Sequence, residues 1–81
     1  MGYVVREEDS QTGEVTRRGP FVAEQEVRMV LGNLVEQAYD FNPQLATANV
    51  RQEVEDAVRD GCKDCLDVKG NLVCRYTVEQ E

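Results

Sequence analysis

The stretch Gly61–Cys74, GCKDCLDVKGNLVC, holds all three cysteines of the chain. It reads either as a metal or redox knuckle, or as a helix stop followed by a β-hairpin. On the hairpin reading, Leu66 and Val68 alternate with Asp67 and Lys69. On the return, Leu72, Cys74, Tyr76 and Val78 alternate with Val73, Arg75 and Thr77. A period of two puts each set on one face of a strand. A two-residue Gly70-Asn71 turn would set Leu66 opposite Arg75 and Cys74 opposite Asp67. A three-residue Lys69-Gly70-Asn71 loop sets Val68 opposite Leu72 and Leu66 opposite Cys74, which keeps one face apolar. Asn71 tolerates the left-handed conformation such a loop needs. The sequence thus predicts the longer loop, with Cys74 on the apolar face beside Leu66 and Tyr76, and Cys65 on the other face.

That register argues against sulfur chemistry. Structural zinc takes four ligands, mostly Cys or His, and the chain has three Cys and no His. Cys62 and Cys65 have the C-x-x-C spacing of a metal knuckle, but the partner pair is missing. The alternative they carry is a metal-stabilised module, with zinc on Cys62, Cys65 and Cys74 and a fourth donor from Asp64, Asp67, water or another subunit. The leading expectation is no metal and no cofactor. Thiol redox fares worse, because the pair follows a helix C-terminus among Asp60, Asp64 and Asp67, where a thiolate is disfavoured. A Cys62–Cys65 disulfide would be incidental.

Upstream of this stretch, Gly61 is the left-handed stop of a helix, and Cys62 comes next, where a side chain folds back on the last turn. Val50, Val54, Ala57 and Val58 form its apolar stripe. Asn49 caps it, with Gln52 placed to answer as in a capping box and Thr47 competing. Glu55 and Arg59 make an i, i+4 pair. An earlier helix lies within Phe21–Phe41, with Ala23, Val27, Val30, Leu34, Ala38 and Phe41 on one stripe that Leu31 and Val35 widen. Gly32 within it marks the close approach of another backbone, and Asn42-Pro43 ends it. At the N-terminus, YVVREEDSQTGEVTRR reads as a hairpin: Tyr3, Val4 and Val5, a turn across Asp9–Gly13, then Val15 and Thr16. Val15 fits opposite Val5 or Val4, and Gly19-Pro20 separates this hairpin from the first helix.

The order is ββ-α-α-ββ. The expected fold is a small α+β single domain over residues 1–81, an antiparallel sheet from two hairpins with two helices packed on one face. The pattern does not say whether the hairpins pair with each other.

Composition narrows the function. A chain of 81 residues has a thin core and few residues to build a deep pocket. It has no His for acid–base work, no Gly-rich phosphate loop, and no calcium loop in DAVRDG or LDVKGN. An enzyme is not expected. The net charge of −7, from 16 acids against 9 bases, repels phosphate and anionic lipid. Two helices before a hairpin also occur in winged helix-turn-helix domains, but a third helix is missing. The outward residues Arg51, Gln52, Glu53, Glu55, Asp56 and Arg59 are near neutral to acidic, so DNA binding is the weaker reading. No apolar run approaches the roughly 20 residues that span a bilayer, and no signal peptide opens the chain, so the expectation is cytoplasmic. The expected function is a small acidic protein–protein interaction or regulatory module. It would meet a basic surface through Glu53, Glu55, Asp56 and Asp60, or a partner through a sheet edge, and the thin core favours a homodimer.

Overall fold

In the computed structural model, which describes residues 2–81, the elements are β1 (Tyr3–Asp9), β2 (Val15–Phe21), α1 (Glu24–Phe41), α2 (Val50–Asp60), β3 (Cys62–Leu66) and β4 (Leu72–Gln80). All pairings are antiparallel, in the order β2-β1-β4-β3. The two hairpins therefore join through β1 and β4, which pair in unbroken register from Tyr3 opposite Gln80 to Asp9 opposite Cys74.

Both helices pack on one face of this sheet. Val27, Leu31, Val35, Ala38 and Tyr39 of α1 and Ala57 of α2 are buried with Val5, Cys65, Val73, Cys74 and Tyr76 from the strands. The other face carries alternating charge, with Arg75 on Asp64 at 2.7 Å and Arg6 on Glu8 at 2.9 Å, and it also holds a buried Val4. Leu45, in the connection between the helices, closes one end of the core at 7% exposure.

The helix ends reflect local chemistry. Asn49 caps α2 and accepts the Gln52 backbone N–H at 3.3 Å, and Gly61 stops the helix at φ 74°. The Gln52 side chain does not close a capping box; it donates to Asp56 at 2.9 Å. α1 ends at Phe41, before Asn42-Pro43. It begins only at Glu24, so Ala23 is its cap and lies off the stripe, and Phe41 is 79% exposed at its far end. Gly32 does mark a close approach, but of side chains. A Cβ there would meet Val58 Cγ2 at 2.8 Å and Val54 Cγ1 at 3.4 Å, so the missing side chain sets how near α2 lies.

Both hairpin registers differ from the sequence reading. In the first, Val15 faces Glu8, and Val5 faces Arg18. β2 runs through Gly19-Pro20, which the sequence placed outside it, and a bulge between Tyr3 and Val5 absorbs the mismatch. In the second, Leu66 pairs with Leu72 and Cys65 with Cys74, around a bulge at Cys65/Leu66. The connection is longer than three residues because the Asp67 carboxylate accepts the backbone N–H groups of Lys69 and Asn71, each at 2.9 Å. Gly70, at φ 84°, takes the left-handed position expected of Asn71. A shift of one residue flips every side chain to the other face. Cys65 is therefore fully buried, while Leu66 and Val68 are exposed.

Candidate functional site

Of the four acids singled out on α2, Glu53 sits deepest. The Lys63 ammonium on β3 approaches its carboxylate at 2.9 Å, and the Tyr39 hydroxyl on α1 donates to it at 2.8 Å. Its side chain is 25% exposed and that of Lys63 15%, so this carboxylate pins both helices to the sheet. Burial pushes its carboxyl up, but the hydrogen bonds from Lys63 and Tyr39 outweigh that and hold it below the ordinary glutamate value. Burial and then the bond to Glu53 push the Tyr39 phenol well above the usual tyrosine range. Glu53 was expected to face solvent; the sequence could not show that Lys63 and Tyr39 converge on it.

Of the other three acids, Glu55 and Asp60 lie at the surface and Asp56 is half-buried, each beside a cation. Glu55 meets Arg51 at 3.6 Å in place of the expected Arg59. Arg59 turns instead to Asp56 at 3.3 Å and Asp60 at 2.9 Å. The Arg59 guanidinium holds the Asp60 carboxyl below its ordinary value. The four residues do not converge on one patch of free negative charge.

A surface that combines charge with apolar area lies between the helices. An open groove is lined by Glu36 and Asp40 of α1 and Val50, Arg51, Val54 and Glu55 of α2. Val50 and Val54 are partly buried and pack on the core, so they form an apolar floor. Three carboxylates and one guanidinium form the rim. Among the described residues, Glu36 and Asp40 have no ion-pair partner. The reading from sequence missed them, although their i, i+4 spacing on the polar side of α1 was visible.

The cysteines divide two and one. Cys62 opens β3 opposite Thr77 and is exposed, instead of folding back on α2. Cys65 and Cys74 face each other across β3 and β4 in the core. The hydrogen bond Cys65 shares with Cys74, then burial, pushes its thiol well above the ordinary value. Cys62, an odd number of residues from Cys65, lies on the opposite face from the other two. Among the described residues, no group of three or more His, Cys, Asp or Glu is placed to hold a metal ion. No helix among them is long and apolar enough to cross a membrane.

No family model, curated protein or solved structure matches the chain.

Proposed function

We propose that the chain is a non-catalytic protein-interaction module that receives a basic amphipathic segment of a partner in the groove between α1 and α2. The observation that carries this reading is the apolar floor of Val50 and Val54 under a rim of Glu36, Asp40 and Glu55. An amphipathic helix would lay its apolar side on the valines. Its lysines or arginines would reach Glu36 and Asp40, the two rim carboxylates that no cation among the described residues already holds. Of the acids expected from sequence, Glu55 belongs to this surface. Asp56 and Asp60 lie further along α2 and share Arg59, and Glu53 serves the fold.

The test is an NMR titration of the isotopically labelled protein with a synthetic amphipathic lysine/leucine helical peptide. Amide shifts are expected along Glu36, Asp40, Val50, Val54 and Glu55, weakening with added salt because exposed charges are screened. The Glu36→Lys, Asp40→Lys double variant should keep its melting temperature, since both residues are exposed. It should lose the shifts mainly through slower association. Shifts that fall on β2, or that survive the double reversal, would sink the proposal.

A further inference from the structure

Two thiols lie opposite each other inside the fold. Val78 N–H donates to Gly61 C=O at 2.8 Å, which fixes the alternation of the β3–β4 ladder. Counting from there, Lys63–Tyr76 and Cys65–Cys74 fall on hydrogen-bonded rungs. Such rungs hold Cα atoms about 5.5 Å apart, inside the roughly 4.4–6.8 Å range that a disulfide spans. The Cβ atoms start further apart than a disulfide prefers, by on the order of 1 Å. The bulge between Cys65 and Leu66 lies next to this rung and supplies the slack to close it. Cys62, three residues before Cys65, points to the other face and cannot compete for the same partner.

We infer that Cys65 and Cys74 form a modification site for reversible thiol–disulfide exchange, closed by a small-molecule disulfide of the oxidised-glutathione class. Cys74, at 9% exposure against 0% for Cys65, takes the first step. Its thiolate attacks one sulfur of the small disulfide and releases one small thiol, leaving a mixed disulfide on Cys74. The Cys65 sulfur then attacks the Cys74 sulfur, its proton passing to the departing sulfur, and the second small thiol is released. One small disulfide is reduced to two thiols, which carry off the two protons, and the cysteine pair loses two electrons to become the Cys65–Cys74 bond. The bond ties β3 to β4 covalently, at the strand that also holds α2 through Lys63 and Glu53.

The experiment uses the full chain and its Cys62→Ser variant, which removes the exposed thiol. Both are equilibrated without denaturant in glutathione buffers of increasing oxidised fraction, then alkylated and mapped by peptide mass spectrometry. The expected result is a Cys65–Cys74 cross-link in both proteins, reversed by dithiothreitol. The melting temperature should rise by roughly 10–20 °C relative to the reduced form, from the entropy the short closed loop removes from the unfolded chain. Three outcomes would overturn the inference: adducts on Cys62 alone with the buried pair still reduced, a cross-link that appears only in denaturant, or a melting temperature that does not rise.

Discussion

The sheet has two edges, and they are finished by different means. β3 is short, and the connection between the helices covers it: Ala46 N–H donates to Leu66 C=O at 2.8 Å, and Leu45 bridges to Asp67. Beneath that cover Cys65 is fully buried. β2 has two more residues, and among the described residues nothing pairs with its outer edge; none of its residues is buried. Its protection is chemical, with Arg17 and Arg18 side by side and Pro20 near its end, the devices that blunt an exposed edge against further strands. One edge is closed by packing, which contributes stability. The other is closed by unfavourable pairing, which contributes almost none.

The largest break in this contrast should come from the covered edge. Leu45→Ala removes most of a side chain that is 7% exposed, and should cost about 2–5 kcal/mol in urea unfolding. It should also speed hydrogen exchange at the Ala46 amide. Val15→Ala on β2, where Val15 is 43% exposed, should cost less than about 0.5 kcal/mol. Equal losses at the two positions would abolish the distinction.

Next in size is the link that holds β3 to the helices. Glu53→Gln should cost about 1–3 kcal/mol at neutral pH, because a charge-assisted bond to Lys63 is lost in a half-buried site. The folded-state pKa of Glu53 is depressed, so the carboxylate stabilises the fold above the ordinary glutamate value of 4.5, and this is lost as pH falls through the lower folded value. The wild type should therefore lose stability more steeply than Glu53→Gln as the pH falls below 4.5, as thermal melts on the acid side will show.

Tyr39 and Tyr76 work in the other direction. Burial raises both phenols above the ordinary value of 10.0. Their contribution is complete below that value and declines as pH rises through it, since the unfolded chain ionises first. Thermal melts should fall above about pH 10, and Tyr39→Phe should fall less. An alkaline profile shared by wild type and Tyr39→Phe would remove Tyr39 from this account.

How far the sequence could be read depends on how local each signal is. The element order and the ends of α2 were legible because Asn49 and Gly61 act within one turn of the helix. The register of β3 and β4 was not, because the Asp67 carboxylate organises a loop that alternation does not describe, and the bulge beside Cys65 reverses a face. β2 was barely legible: with no buried residue it has no apolar face to betray its register, and Gly19-Pro20 looked like an interruption. The surface acids showed in outline, but their partners did not. Lys63 and Tyr39 reach Glu53 from two other elements, and Arg59 chooses Asp56 and Asp60 over Glu55 for geometric reasons.

The smallest expected effect on stability belongs to β2, and it is the most informative about the open edge. Arg17 and Arg18 are exposed, so replacing both with valine should leave the unfolding free energy of the monomer within about 0.5 kcal/mol. Its association behaviour should change much more. If two copies met through β2 in antiparallel fashion, residues near the middle of each strand would face each other, bringing arginines against arginines. In the wild type that repulsion opposes pairing. In the Arg17→Val, Arg18→Val variant it is replaced by two β-branched residues that favour a strand and can pack across the new interface. Light scattering over a concentration series should show the variant associating at concentrations where the wild type is unchanged. Added salt should move the wild type toward association by screening the arginines, and should affect the variant less. If the variant and the wild type scatter alike at every concentration and salt level, the arginines do not guard the edge, and Pro20 with the bulge between Tyr3 and Val5 is sufficient to close it.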